Sequence, residues 1–300
     1  CYLNLINLYC MKKFLTLLFS LIICINSNSQ DTFSIVAVDT ITGEVGSAGA
    51  SCVNLFNTNF VNDDFLGELF PGLGAINTQA YYIQTNQNNA RSRMNLGYTP
   101  SQIIDWLINN DVQQTPELRQ YGIVAFVNGI SESAAHTGLS TDNYKNHILG
   151  PNYAIQGNIL LGQHVLDSMQ SRFVNEPGDL KCKLMAALQG ANTVGADTRC
   201  APYGTSSLFA FVKVAQPTDS FGSPSFKISV RTQPSSGIEP VDSLQNIFNS
   251  NHSCNPTSVI EKENKKKVIK ITDVLGKEIK NKKNIPLFYI HEDGSVKKEI

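Results

Sequence analysis

Cysteine, histidine and tryptophan are scarce in this chain, with seven, five and one among 300 residues. Only Cys52, Cys182, Cys200 and Cys254 lie beyond the first 30 residues, no Cys-x-x-Cys occurs, and His136, His147, His164, His252 and His291 are scattered. Protein metal sites draw on clustered ligands of these types, so no metal is expected, and no motif calls for an organic cofactor. Lysine is missing altogether between Lys13 and Lys145. Basic charge is in short supply as well: residues 31–254 carry 11 Lys and Arg against 18 Asp and Glu, and the whole chain has a net charge of −1. Nucleic-acid binding rests on phosphate neutralisation by basic stripes, so no nucleic-acid partner is expected. The longest apolar run, residues 14–25, falls short of the roughly 20 residues that span a bilayer, so the protein is not expected to be membrane-spanning.

That apolar run belongs to a leader. Met11-Lys12-Lys13 supplies a basic opening, residues 14–25 an apolar core, and Asn26-Ser27-Asn28-Ser29-Gln30 a small, polar cleavage region, which is the layout of a secretory signal peptide. Residues 11–29 are expected to be removed on export, with residues 1–10 an upstream extension of the reading frame. Ile23 stands before Cys24 where lipidation wants Gly, Ala or Ser, so the product is expected to be unlipidated, passing the periplasm to be secreted or held at the cell surface. An oxidising compartment permits disulfides. Four cysteines allow three pairings; Cys182 with Cys200, separated by a helix and a loop, is the first choice beside free thiols.

Hydrophobic periodicity and turn residues lay out the rest. Residues 32–39 and 44–51 form a hairpin across Thr40-Ile41-Thr42-Gly43, and residues 72–79 a third strand entered from a polar loop at 54–64. Helices are expected over 86–96 and 100–110, the second with Ile103, Ile104, Leu107 and Ile108 at helical spacing and Thr99 or Ser101 as cap. Residues 121–127 and 133–137 pair across Asn128-Gly129, a type I′ turn signal. Helices follow at 158–174 and 179–189, strands at 207–214 and 226–230, and a short helix at 239–248. Strands at both ends with helices in blocks between them predict an α+β layered domain over residues 30–235, then a short helix and linker over 236–257.

Six blocks occur in order: Thr32-Phe33-Ser34-Ile35-Val36-Ala37, Gly46-Ser47-Ala48-Gly49-Ala50-Ser51, Gly74-Ala75-Ile76-Asn77-Thr78-Gln79-Ala80, His136-Thr137-Gly138, Gln156-Gly157-Asn158-Ile159-Leu160 and Gly195-Ala196-Asp197-Thr198-Arg199. Over residues 32–230 they resemble the prokaryotic family called domain of unknown function ten-twenty-eight, placed in the N-terminal nucleophile (Ntn) hydrolase superfamily. The resemblance implies a four-layer αββα sandwich. It also implies that Thr32 is a nucleophile whose own α-amine is its base, acting on a small amide or peptide-like substrate. Family chains begin Met-Thr-Phe-Ser-Ile-Val-Ala, so loss of Met frees the threonine; here the leader takes that place. Cleavage after Ser29 leaves Gln30-Asp31 ahead of Thr32, and a free amine then needs a later cut, trimming or self-processing.

Polar residues at strand ends are the candidate substrate-binding groups: Ser51 after the second strand, Thr78 and Gln79 after the third. Gln156 and Asn158 stand at an expected helix entry whose N–H groups suit an anion or oxyanion, with a plain N-cap as the alternative. Asp197 and Arg199 form either a charge pair orienting the site or a structural loop clamp. The early-strand lysine of proteasome-like relatives is missing, so Arg91, Arg93 or Arg199 would supply positive charge. Cys52 is a nucleophile only if a basic partner lies nearby, and Trp106, Tyr81 and Tyr82 are expected to pack. A non-catalytic secreted or surface binding module on the same fold is the competing reading.

Residues 255–300 invert the charge, with 11 Lys against seven Asp and Glu. Their two blocks, from Val268-Ile269-Lys270-Ile271-Thr272 to Gly276-Lys277-Glu278 and from Asn284-Ile285-Pro286 to Lys297-Lys298, resemble the C-terminal sorting domain of type IX secretion substrates in Bacteroidota. The resemblance implies a small all-β module over 258–300 with turns at Leu275-Gly276 and Asp293-Gly294, and the type IX secretion machinery as a partner. The module stops a few residues short of the usual length, as a truncated copy would. The Asn-rich loop and the tail also admit a homo-oligomeric surface assembly.

Overall fold

The computed structural model describes residues 32–254 and, towards the C-terminus, residues 268–273, 275–279, 287–291, 294 and 296–299. The expected upstream extension, the signal peptide, Gln30-Asp31 and residues 255–267 lie outside the described residues.

β1 (Thr32–Val38) and β2 (Val45–Ser51) form the expected hairpin, in the register Thr32↔Ser51 through Val38↔Val45. Their turn is closed by Asp39, whose carboxylate accepts the N–H groups of Ile41 and Thr42 at 2.8 and 3.1 Å, and by Gly43 at φ +75°, a conformation that suits glycine. β3 (Gly67–Phe70), β4 (Gly74–Gln79), β5 (Gln120–Val127) and β6 (Ile130–Thr137) make a four-stranded antiparallel sheet in that order. β7 (Asn146–Gly150), β8 (Tyr153–Gly157), β9 (Phe209–Ala215) and β10 (Phe226–Arg231) join the first hairpin in a six-stranded sheet of order β10-β9-β2-β1-β8-β7.

Helices cover the outer faces. α1 (Gln84–Asn95) and α2 (Pro100–Asn109) set Ala90, Met94, Ile103 and Leu107 against Ile76, Tyr121 and Ile123 of the four-stranded sheet. Thr99 caps α2 with a complete capping box to Gln102, satisfying N–H groups that a helix start leaves unpaired. α3 (Gln163–Asn175), α4 (Leu180–Gly190) and α5 (Pro240–Asn251) cover the six-stranded sheet, burying Leu166, Met169, Leu184, Leu188, Leu244 and Phe248 against Phe33, Ile35 and Val212. Between the sheets, Val36, Val38 and Val45 meet Ala75 and Val124. The domain is therefore α+β, as expected.

The helix expected from residue 158 starts at Gln163. Residues 153–157 are β8, fully buried between β1 and β7. Its short apolar stretch runs on into Ile159-Leu160-Leu161, so the sequence imitates one long amphipathic helix, while Gly157 and Gly162 break it. β3 and β7 are additional strands that the sequence pattern does not mark, each short and at a sheet edge.

The disulfides also correct an expectation. Cys182 pairs with Cys254, and Cys52 with Cys200. Nearness in sequence misled, because Cys200 lies in a short helical turn over the end of β2 while Cys182 on α4 meets the chain leaving α5. Replacing Cys52 and Cys200 together by alanine is expected to cost about 2–4 kcal/mol of stability, to be read by comparing thermal unfolding of the oxidised protein and the double variant.

The C-terminal segment has β11 (Val268–Thr272), β12 (Leu287–His291) and β13 (Val296–Glu299), antiparallel in the order β11-β12-β13. Gly276 (φ +76°) donates its N–H to Asp273 O at 3.0 Å, forming the turn expected at Leu275-Gly276. Gly294 turns at φ +80°, while Asp293 lies outside the described residues. Among the described residues no helix is long and apolar enough to cross a membrane.

Candidate active site

Strand alternation builds the site. Side chains along a strand alternate between faces, so Phe33, Ile35 and Ala37 of β1 point to the helices, leaving Thr32, Ser34, Val36 and Val38 facing the other sheet. That inner face is apolar at the Val38 end and polar at the Thr32 end. The same change runs along β4, where Ala75 gives way to Asn77 and Gln79, along β5, where Val124 gives way to Gln120, and along β8, where Ala154 gives way to Gln156. The result is a buried polar band between the sheets. Ser34 donates to Gln79 Oε1 at 2.6 Å and accepts from Gln156 Nε2. Gln79 Nε2 donates to Gln120 Oε1 at 2.7 Å, and Gln120 Nε2 to Gly157 O at 2.9 Å.

Thr32 sits at the polar end, fully buried. Its backbone N–H donates to Asn158 Oδ1 at 3.2 Å. Its carbonyl accepts from Gln79 Nε2 at 3.0 Å and from the Asn158 N–H at 3.1 Å. Across the hairpin it faces Ser51, whose Oγ accepts the Val53 N–H at 3.2 Å. Directly beyond Ser51, the Cys52 N–H donates to Asp197 Oδ2 at 2.8 Å. Arg199 grips the same buried carboxylate through Nε at 3.0 Å and Nη2 at 2.6 Å, and the Cys52–Cys200 bridge ties the two segments covalently.

The backbone next to Thr32's partners is held in left-handed conformations. Ile159, after Asn158, has φ +52°, and Ala80 and Tyr81, after Gln79, have φ +54° and +44°. Side-chain-bearing residues there cost of order 1–3 kcal/mol each and persist where the surroundings over-determine them. Arg119 is one such restraint: Nη1 donates to Tyr81 O at 2.6 Å while Nε donates to Asp111 Oδ2 at 2.8 Å, with both side chains buried. Burial pushes the Asp111 carboxyl up, but hydrogen bonds from Arg119, the N–H groups of Thr115 and Gln113, and Asn86 outweigh it and hold the pKa at about 2.

The structure thus brings Thr32, Ser51, Gln79, Asn158, Asp197 and Arg199 to one end of the β1–β2–β8 layer, with Gln156 one strand position deeper. Thr78 is not with them: it alternates to the other face of β4, where its Oγ1 accepts from Gln87 Nε2 at 3.1 Å. Gln156 and Asn158 do not open a helix; they end a central strand, so a helix-entry anion site at this place is overturned. Cys52 is bonded to Cys200 and carries no thiol, which removes it as a nucleophile. Arg91 is committed to Glu68 and Arg93 lies 3.7 Å over the Trp106 ring, so of the three candidate arginines Arg199 is the one at the Thr32 end. Asp197 both orients Arg199 and caps the end of β2, so charge pair and clamp describe one arrangement.

The family model described as "Family of unknown function (DUF1028)" matches residues 32–235. The chain belongs to the DUF1028 family. A crystal structure of a Silicibacter pomeroyi protein described as DUF1028 superposes with a TM-score of 0.58 at 20% sequence identity, over 74% of this chain and 90% of that one; the likeness concerns the fold. No curated protein matches the sequence.

Sequence reasoning missed two residues of this DUF1028 site: Ser34, readable as the same-face neighbour of Thr32 two residues along β1, and Gln120, readable as the polar first residue of β5. Outside the Thr32 end, Lys213 on β9 was hidden by its distance in sequence. It is buried opposite Ser47, and its Nζ donates to Asp64 O, Asp64 Oδ2 and Gly67 O at 3.0, 2.8 and 2.6 Å. Burial pushes its pKa down, partly offset by Asp64. Asp179, Cys182 and His252 cluster as metal ligands would, but the Cys182 sulfur is spent on Cys254, and His252 Nε2 lies 3.0 Å from Asp179 Oδ2 as a pair.

Gly122 explains how Gln156 fits between the sheets, because a Cβ there would overlap Gln156 Oε1. That oxygen is buried without a hydrogen-bond partner, but Nε2 of the same amide donates to Ser34 Oγ, so the amide cannot swing clear without giving up that bond. Gly122→Ala is expected to cost about 1–3 kcal/mol through overpacking, measured by urea unfolding.

Proposed function

We propose that this protein is a secreted Ntn-type amidohydrolase, active once the residues ahead of Thr32 are removed, on a small amide or peptide-like substrate. The observation that carries the reading is the placement of the Thr32 nitrogen. In the cut chain this atom becomes the α-amine, and Asn158 Oδ1, 3.2 Å away, would accept one of its protons and leave the lone pair to take the proton of Thr32 Oγ1. The oxygen then attacks the substrate carbonyl carbon. The tetrahedral oxyanion collapses, the amine leaves with the proton held on the Thr32 nitrogen, and water, deprotonated by the same nitrogen, hydrolyses the threonyl ester. Gln79 and the Asn158 N–H fix the Thr32 carbonyl, and so the orientation of the whole residue. Asp197 and Arg199 stand beside Ser51, where a substrate's polar end can be met. Two sheets face to face between helical layers support the Ntn assignment, and the leader and lysine-rich tail support export through the type IX machinery.

The test is to insert a specific protease site immediately before Thr32 and treat the chain with a β-lactone probe before and after cutting. Labelling of Thr32 that appears on cutting supports the mechanism; equal labelling of the uncut chain, with Asp31 in place, contradicts it. The complete burial of Thr32 in the uncut chain favours one second reading, a non-catalytic binding module. Failure of the cut chain to label, with small-molecule binding retained, is the outcome that reading expects.

A further inference from the structure

The polar band does not end at Gln120. It continues to the side of the sandwich where the β6 edge of one sheet meets the β7 edge of the other. Gln120 Nε2 also donates to Thr137 Oγ1 at 2.9 Å and to Asn146 O at 3.1 Å. Thr137 Oγ1 in turn lies 2.9 Å from His147 Nδ1. Four hydrogen bonds thus run from His147 through Thr137, Gln120 and Gln79 to the Thr32 carbonyl.

The chain has one possible direction. Backbone carbonyls accept and never donate, so Gly157 O and Asn146 O require the Gln120 nitrogen on their side, which turns its oxygen to Gln79. Thr32 O makes the same demand of the Gln79 nitrogen, and Ser34 donates to the Gln79 oxygen. Because Thr137 Oγ1 accepts from Gln120, its own proton is left for His147 Nδ1, and His147 is held neutral with its proton on Nε2. Burial and the neighbouring His136 of β6 push the His147 pKa down, in the same sense. β8 sets the uncharged Gln156 opposite His147, and the Lys145 ammonium is held on Leu139 O and Thr141 O. α3, with His164, Asp167 and Arg172, packs on the other face of β7, where Ile148 points.

We propose that Gln120 is a positioning residue for Thr32: it aims the Gln79 amide at the Thr32 carbonyl, and Thr137 and His147 hold Gln120 in the direction this requires. Without the Gln120 oxygen, one buried N–H of Gln79 has no acceptor, and the amide turns away from Thr32 to find one. The bearing on catalysis rests on Thr32 being the nucleophile. The chain of hydrogen bonds does not.

The test therefore begins on the full chain with the residues before Thr32 in place, by NMR titration of the histidine rings and amide hydrogen exchange. In Gln120→Met, Thr137 can turn its proton to Gly157 O and accept from a protonated His147, so His147 is expected to titrate at higher pH than in the parent. The Asn158 N–H shares the Thr32 carbonyl with Gln79; it is expected to exchange about tenfold faster in the variant, beyond any change in global opening. Thr137→Val, which leaves Gln120 in place, should also move His147 to higher pH, whereas Thr137→Ser keeps the hydroxyl and should not. After cutting before Thr32, Gln120→Met is expected to react with a β-lactone about tenfold more slowly than the cut parent. A cut parent that never labels rejects the hydrolase, while the exchange and titration results still decide the chain. A His147 that titrates alike in the parent, Gln120→Met and Thr137→Val, or unchanged Asn158 exchange in Gln120→Met, would overturn the proposal.

Discussion

Replacing Arg119 with methionine is expected to lower domain stability by about 3–5 kcal/mol, the usual cost of stranding one member of a buried ion pair. In a domain of this size that is a fall in Tm of about 10 °C. Methionine roughly fills the volume but supplies no donor. Asp111, 1% exposed at its side chain, would keep its charge with only the Thr115 and Gln113 N–H groups and Asn86 to hold it. The effect should depend on pH with a definite sign. Asp111 is depressed from an ordinary value of 3.8 to about 2, so its contribution is complete above the unfolded value and is lost as pH falls towards the folded one. Wild type and variant should therefore differ most near neutrality and converge in Tm as pH drops below about 3. A constant difference from pH 7 to 2 would assign the loss to packing alone. The variant also frees Tyr81 O, and with it the left-handed turn that follows Gln79. A slower reaction of the cut chain with a β-lactone, beyond what stability explains, is the expected second effect.

Thr32→Ala should abolish acylation of the cut chain, lowering the second-order rate with a β-lactone by about 10⁴-fold or more, as loss of a nucleophile does elsewhere. The substitution keeps the backbone. Alanine retains the nitrogen held by Asn158 and the carbonyl held by Gln79, so little but the hydroxyl and a methyl group is removed. Thr32→Ser is the control: it keeps the hydroxyl and is expected to retain measurable reactivity. An alanine variant that labels as the parent does would remove Thr32 from the chemistry, whatever its effect on folding.

How much of this was legible in the sequence depended on whether a residue's environment was local. The first hairpin, the Asn128-Gly129 hairpin and α2 declared themselves through alternation, turn chemistry and helical spacing. Gln79 and Ser51 were found because polar residues at strand ends stand out against apolar runs. Asn158 was found for the wrong reason: its role comes from β8 lying beside β1, a pairing across more than a hundred residues that no local pattern encodes. The same non-locality hid the Cys52–Cys200 bridge and Lys213, whereas β3 and β7 pair locally with β4 and β8 and escaped because they are short edge strands with little alternation. Thr78 neighbours Gln79 in sequence, but the period of two sends them to opposite faces of β4. Asp197 and Arg199 were readable as a pair, while the Cys52 N–H that joins them to the site was not.

The most direct measurement is the intact mass and terminal sequence of the chain after native export. The account predicts a mature protein whose first residue is Thr32, with its nitrogen free. A mature, active protein that still carries Asp31, or Gln30-Asp31, ahead of Thr32 would contradict it.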